Sequence, residues 1–318
     1  MRNTQFIQCL KGAIGTSWQM KATPSVWDAK MVRTLTEPAE RFVCALSIDL
    51  EFWIPRHIAC AIDTRSKKEL DEGFIEKATS SILNLLNRYH RKVTFFVVSE
   101  IFDCYPDMIQ RIKEHGHEIA YHTHTHRSIE TKQDLVEELG QSRSFIRRFE
   151  PVGFRAPEAM ISAECLEALA DYGFEYDSST YGNLNTTTVI HGVREIPIST
   201  FKFFNLSISL NLHRNIRKRL LYGELPLGSG FFMSALDPAA RVLPGLLGLQ
   251  NKVPVLFIHP WQIMTPDARL FTSESLFERT TLLLYSRRCL GSFLYLLSRF
   301  QTICLKDLAH KLSRVGVR

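Results

Sequence analysis

An α/β fold, with parallel strands joined by crossover helices, is what this 318-residue sequence predicts. Three observations carry the prediction. Continuous apolar runs of strand length, such as Phe42-Val43-Cys44-Ala45-Leu46-Ser47-Ile48 and Val93-Thr94-Phe95-Phe96-Val97-Val98, have the composition of strands buried on both faces. Stretches of helical spacing with short connections lie between them, the rhythm of strand–helix–strand units. Finally, Asp49, His122, Arg155, Asp177 and His259 each stand at the end of an apolar run, where parallel folds collect their chemistry.

Taken in order, residues 1–40 lack periodicity and read as an arm or peripheral layer ahead of a single domain over 41–318. The first strand runs from Phe42 to Ile48 and ends in Asp49. Lys68 to His90 has helical spacing through Phe74, Ile75, Ala78, Ile82, Leu85, Leu86 and Tyr89. Val93–Val98 is the second strand, Pro106–Glu114 a helix with proline in its first turn, closed by Gly116. His117–Tyr121 is a third strand and Lys132–Phe149 a third helix. A short strand at Val152–Arg155, a helix over Ala163–Tyr172 stopped by Gly173, and a strand at Phe174–Asp177 follow.

From about 181 to 251 the rhythm breaks. Short β-like pieces (Val193–Ile198, Lys202–Leu210) and a basic helix (Leu212–Tyr222) read as an insertion closing over the site. The strand pattern resumes at Val253–Ile258 and ends in His259-Pro260-Trp261. A long helix (Ser273–Phe300), Gln301-Thr302-Ile303 and a final helix complete the chain.

A hydrophobic content of 45% with 23% charged residues excludes disordered and fibrous classes. The net charge of +6 is not a nucleic-acid signature, so no nucleic-acid partner is expected. The basic excess is local, in His213–Arg219 and at Arg287-Arg288, where it suits a phosphorylated ligand or a peripheral contact with an anionic membrane. Seven scattered cysteines without a CxxC pair fit reduced thiols. The N-terminus shows no apolar signal core, and Leu290–Leu297 is far short of the ~20 residues of a spanning helix. A cytoplasmic protein is the expectation.

The densest chemistry lies in Tyr121-His122-Thr123-His124-Thr125-His126. Buried imidazoles are costly unless their ring nitrogens find partners, and a cation supplies such a partner. His122 and His126 have the spacing of one helical turn, while on a strand all three histidines share a face. Asp49 and Glu51 offer one carboxylate as a ligand and one as a base. Imidazole with carboxylate suits zinc or another late first-row ion. Arg155 needs a carboxylate partner if buried, and Asp49 is the natural one. His259 is placed to protonate a leaving group, with Asp177 orienting it and raising its pKa. Trp261 offers an aromatic face for a sugar ring, and His117 reads as structural.

These residues, in order, resemble the polysaccharide deacetylases with the NodB homology domain, the carbohydrate esterase family 4 type. The motifs are Ser47-Ile48-Asp49-Leu50-Glu51, His122 to His126, Arg155-Ala156-Pro157, Tyr176-Asp177-Ser178-Ser179 and Ile258-His259-Pro260-Trp261. Asp-x-Glu, Gly228-Ser229-Gly230-Phe231-Phe232 and His-Pro-Trp look most like the intracellular branch associated with bacterial surface-polysaccharide biosynthesis.

The resemblance implies a distorted (β/α) barrel with fewer than eight strands and hydrolytic removal of an N-acyl group, usually acetyl, from an amino sugar. It implies Asp49 as general base, Glu51, His122 and His126 as ligands of a divalent metal, Arg155 as tether and His259 as general acid. Zinc leads as the metal, with cobalt, nickel or manganese behind it. Pro157 and Ser178, in two of the motifs, join Trp261 as expected substrate contacts. A nucleotide- or lipid-linked amino sugar is the expected substrate. A deformylase, a cyclic-amide hydrolase and a non-catalytic carbohydrate-binding relative are the alternatives.

The sequence departs from the family pattern at three places. The second acid comes one residue late and is Glu51, Ala159 replaces a usual glycine, and Met233 stands where this branch often has arginine.

Overall fold

The computed structural model describes residues 42–59, 61–184, 187–202, 223–237, 239–250, 253–266 and 289–314. All lie in one compact unit, Pro38–Arg318. The expected arm (1–40), the basic helix (212–222), Arg287-Arg288 and the first part of the long C-terminal helix lie outside the described residues.

The strands, in chain order, are β1 (Val43–Leu50), β2 (Thr94–Val97), β3 (Glu118–Tyr121), β4 (Gly153–Phe154), β5 (Tyr176–Asp177), β6 (Tyr181–Gly182), β7 (Val189–Ile190), β8 (Val193–Glu195), β9 (Ile198–Ser199), β10 (Phe201–Lys202), β11 (Glu224–Leu225), β12 (Val255–Ile258) and β13 (Gln301–Ile303). Seven of them, in the order β12-β1-β2-β3-β4-β5-β8, form a continuous parallel path, as expected of a barrel with fewer than eight strands. Two more extend the sheet to nine: β7 pairs antiparallel with β8, and β13 pairs parallel with β1.

The sheet curls, and its seam is bridged by the Val255 amide on Ser199 Oγ (2.8 Å) and by the backbone of Gly228. Gly228 N–H donates to Ser199 O (2.8 Å), and Phe257 N–H donates to Gly228 O (3.0 Å). A β-carbon at Gly228 would stand 2.5 Å from the Val255 carbonyl oxygen, so only glycine passes between the two edges.

Alternation along the strands sorts the core into two layers. Leu46, Ile48, Leu50, Phe95, Val97, Ile119, Tyr121 and Leu256 face outward into the large cluster shared with the helices. Ala45, Phe96, Ala120, Tyr176, Ile196 and Val255 face inward.

The outer layer is supplied by α1 (Thr64–Asp71), α2 (Phe74–Arg88), α3 (Ser99–Cys104), α4 (Pro106–Glu114), α5 (Lys132–Gln141), α6 (Arg143–Phe149) and α7 (Ala163–Asp171). After them come α8 (Gly230–Ala235), α9 (Leu243–Gly248), α10 (Leu290–Arg299) and α11 (Leu305–Arg314). Each amphipathic helix buries one stripe; α2 buries Ile75, Ala78, Ile82 and Leu86, worth roughly 1.5–3 kcal/mol per large side chain.

Two expected helices are broken in the structure. The Lys68–His90 stretch divides where Glu72 and Gly73 take left-handed φ values of 48° and 73°. The Lys132–Phe149 stretch divides at Ser142, whose hydroxyl donates back to the Glu138 carbonyl (2.8 Å) and also meets Ser99 and Tyr121. At the N-terminal end of the barrel, Leu305, Leu308 and Ala309 of α11 pack into the inner layer. Leu305 N–H donates to Thr94 Oγ1 and Lys306 N–H to Glu118 Oε2, and His310 Nε2 meets Glu175 Oε2 (3.0 Å), tying α11 to the barrel. Among the described residues no helix is long and apolar enough to cross a membrane.

Candidate active site

The two-residue period of a strand decides which side chains reach the barrel mouth. On β1 the inward positions are Ala45, Ser47 and Asp49, and the next is Glu51. The same step carries Ala120 to His122 beyond β3, and Val255 through Phe257 to His259 beyond β12. On β4 the inward residue is Gly153, where a β-carbon would lie 2.1 Å from the Tyr176 ring, and the next is Arg155. Four strands therefore deliver Asp49, Glu51, His122, Arg155 and His259 to one end.

Arg155 fills the mouth from within. Its Nη1 donates to Asp49 Oδ1 (2.6 Å) and to Ser47 Oγ (2.8 Å), its Nε to Ser178 O (3.0 Å) and its Nη2 to Ser178 Oγ (2.9 Å). The guanidinium carbon lies 4.1 Å from the centre of the Phe96 ring and 5.1 Å from that of Phe257. The buried charge is thereby met by a carboxylate, three further oxygens and two π faces, as burial requires. The pairing expected between Arg155 and Asp49 is present.

Glu51, His122 and His126 offer ligand atoms that all lie within 4.8 Å of one another. The donor set fits a divalent ion on its own geometry. His122 Nδ1 is bonded to the Arg155 carbonyl (2.6 Å), which leaves Nε2 to face the site. Burial pushes the His122 ring down to about 4, so it stays neutral with a lone pair to give. Burial would raise the Glu51 carboxyl, but the rings of His126 and His259 on its oxygens outweigh that and hold it below the ordinary carboxylate range. Those contacts measure 2.5 Å (His126 Nε2–Glu51 Oε2) and 2.9 Å (His259 Nε2–Glu51 Oε1).

The connection carrying the two histidines is strained: Thr123 has φ 65° and His126 φ 61°, left-handed values that cost non-glycine residues about 1–3 kcal/mol each. The third histidine turns aside, His124 Nδ1 meeting Ser99 Oγ at 2.9 Å. His117 stays behind the sheet, where the Val93 amide reaches its Nδ1 (3.4 Å).

Four expectations need correction. Asp177 does not orient His259. Tyr176 is the inward residue of β5, so Asp177 takes the opposite face. There it accepts from the Ser179 amide (3.2 Å) and hydroxyl and shares a hydrogen bond with Glu195. Through Ser179 Oγ, which accepts the Ala156 amide (2.7 Å), it braces the loop after Arg155. Gln262 is the neighbour of His259 instead, its Oε1 accepting the His259 amide (2.9 Å). Ser178 is fully buried and serves the Arg155 guanidinium rather than a substrate. Pro157 is buried and starts the short 3-10 turn Pro157–Ala159 behind the cavity wall. Trp261 is 6% exposed and stacks on His259, ring centres 4.4 Å apart, so it supports the ring from behind.

A cavity of about 510 Å³ opens over these groups. Asp49, Glu51, His122, His126, Arg155 and His259 line its floor. Its walls are largely apolar: Ala159, Ile198, Pro226, Phe231, Phe232 and Phe257. Phe231 and Phe232 had a sequence signal in the Gly-Ser-Gly-Phe-Phe motif. Ile198 and Pro226 had none, because their place depends on the seam at Gly228.

The comparisons with known proteins agree with this picture. Residues 64–176 match the family model for polysaccharide deacetylase. A peptidoglycan-N-acetylglucosamine deacetylase of Bacillus cereus is 26% identical over 109 residues, covering 33% of this chain and 51% of the relative. A chitooligosaccharide deacetylase of Bradyrhizobium sp. is 28% identical over 109 residues, covering 32% and 50%. The chain thus spans about half the length of these curated relatives. A solved structure from Mycobacterium smegmatis, assigned as a polysaccharide deacetylase, superposes with a TM-score of 0.54 at 17% identity, over 88% of this chain and 93% of that one. At that identity the likeness concerns the fold. The matched stretch holds His122, His126 and Arg155, and over these residues the chain is similar to the polysaccharide deacetylase family.

Proposed function

We propose that this protein is a metal-dependent hydrolase that removes an N-acyl group, acetyl in the first instance, from an amino sugar. The observation that carries the reading is the convergence on one cavity of three metal-type donors, an Arg-paired carboxylate and a further histidine, His259. Deacetylation is also what the names of the matched relatives state of those proteins. Glu51, His122 and His126 would hold the ion, zinc first by donor type, with cobalt, nickel or manganese as substitutes. When bound, it supplies Lewis-acid polarisation of the scissile carbonyl.

The remaining steps belong to the side chains. Arg155 fixes Asp49 through Oδ1, so the carboxylate is aimed and able to take a proton from water. The water oxygen forms the new bond to the acyl carbon. As the C–N bond breaks, His259 gives a proton to the departing amine, and the products are the carboxylate and the free amino sugar. The stack of Trp261 and the contact of Gln262 Oε1 with Nδ1 (3.4 Å) hold the His259 ring toward the cavity.

For the carrier, the reading favours a nucleotide- or lipid-linked sugar, supported by the cationic stretch Arg214–Arg219 in the sequence. The reading places the reaction in the cytoplasm, in keeping with five buried free thiols among the described residues.

The test is mass spectrometry of N-acetylated monosaccharides, nucleotide sugars and lipid-linked glycans after incubation with metal-loaded protein. We expect loss of one acetyl group from a member of the panel, abolished by a chelator and restored by the ion. Asp49→Asn should retain the ion and lose ~10²–10⁴-fold in turnover. Wild-type turnover in that variant would remove Asp49 as the base, and binding of a glycan without turnover would favour a carbohydrate-binding module.

A further inference from the structure

We propose that Glu138 is a positioning residue that sets the His122–His126 connection in its metal-binding shape before an ion arrives; this rests on the metal site proposed for Glu51, His122 and His126. Glu138 is fully buried on α5 and touches none of the three ligands. Its carboxylate instead grips the backbone between them. Oε2 accepts the amides of His124 (2.6 Å) and Thr125 (2.8 Å), and Oε1 accepts the Thr125 hydroxyl (2.9 Å). Arg127 Nε lies 2.9 Å from the same Oε1. Glu138 therefore engages His124 and Thr125 between the ligands and Arg127 just after them.

The connection needs such a clamp. Thr123, a β-branched residue at φ 65°, and His126 at φ 61° hold conformations that persist only when surrounding contacts over-determine them. The carbonyl side is fixed by the start of α3: Ser99 N–H donates to Thr123 O (2.9 Å) and Glu100 N–H to His124 O (3.2 Å). The amide side is fixed by Glu138. The middle histidine is anchored to Ser99 Oγ, so the connection is secured on both sides while His122 and His126 face the site. The clamp is itself indexed to the core, because Leu135 and Leu139, on either side of Glu138 along α5, are fully buried. A carboxylate suits the role because a neutral amide offers one acceptor oxygen where three donors converge.

Two measurements decide the proposal. In a competition titration against a chromophoric chelator, Glu138→Gln should bind Zn²⁺ or Co²⁺ at least tenfold more weakly than wild type while still melting cooperatively. Thr125→Val, which removes one of the three donors, should lose a few-fold. Amide hydrogen exchange of the ion-free protein should show His124 and Thr125 protected in wild type and released in Glu138→Gln. His126→Ala serves as control for the metal site: unchanged ion affinity in that variant overturns the metal reading alone, since the exchange rates are read without ion. Equal exchange at His124 and Thr125 in wild type and Glu138→Gln overturns the clamp. So does a Glu138→Gln affinity within twofold of wild type.

Discussion

Arg155 heads the largest fully buried side chains of the described residues, and it is also a permanent charge. Its worth lies in what would be stranded without it. Arg155→Met leaves Asp49 as an uncompensated buried carboxylate and is expected to cost about 3–5 kcal/mol, read as a lowered urea midpoint. Asp49→Asn introduced into that variant should recover part of the loss, because the stranded charge is gone. Strict additivity of the two changes would mean that the 2.6 Å contact carries no coupling.

The residue scale is also where the sequence was most legible. Asp49, Glu51, His122, His126, Arg155 and His259 all reach one cavity floor. Asp177 was misplaced because standing at a strand end does not say which face a residue takes. The inward Tyr176 beside it was the missing clue. Glu138 was illegible for another reason: it sits in an ordinary amphipathic helix beside Glu137, and only the fold brings the His124 and Thr125 amides to it.

Among the elements, β12 and the stretch before α8 meet at a tight backbone contact, and β8, within the stretch read as an insertion, belongs to the main sheet. The bridge at Gly228 is a contact of backbone with backbone, and neither edge can yield to a side chain. Gly228→Ala is expected to destabilise by about 1–3 kcal/mol as an overpacking change, measured by thermal denaturation. A melting temperature equal to wild type would show that the edges part freely there.

The parallel strands β1 to β5 and β12 were readable from their apolar runs, whereas β8 lies in the stretch read as an insertion and β13 carries no apolar run. The breaks were not. Ser142 ends α5 through contacts with Ser99 and Tyr121 on other elements, which no local pattern reveals. The left-handed pair Glu72–Gly73 ends α1 in a stretch whose apolar spacing alone reads as one helix.

At the scale of the whole molecule, the barrel buries more ionisable groups than the site uses. Burial and the neighbouring Asp177 charge raise the Glu195 carboxyl well above its ordinary value, so the folded pair holds a proton at pH values where the unfolded chain has released it. Below the unfolded carboxyl pKa of about 4 both states are protonated and the group has no effect on stability. As pH rises the unfolded chain releases the proton and the fold retains it, so this group's contribution falls by up to about 1.4 kcal/mol per pH unit until the folded pKa is passed. His117, pushed down to about 4 chiefly by burial, acts with the opposite sign between about 4 and 6.5.

Glu195→Gln keeps an acceptor for Thr180 and a donor for Asp177 but holds no titrating proton. Its stability relative to wild type should therefore climb as pH rises above the unfolded carboxyl pKa of about 4, followed by urea denaturation. A difference that is flat above that pKa would show that no proton is kept.

The small hairpin of β10 and β11 has a consequence for how this protein can vary. Lys202 pairs with Glu224 and Phe201 with Leu225, so the chain leaves and rejoins the domain at adjacent points. Whatever occupies 203–222 begins and ends on a two-residue clasp. For a flexible connection between two ends fixed in this way, closure costs only about 0.6 kcal/mol more for each doubling of length. Changing the length of chain joined to this clasp is therefore expected to leave the cavity floor in place.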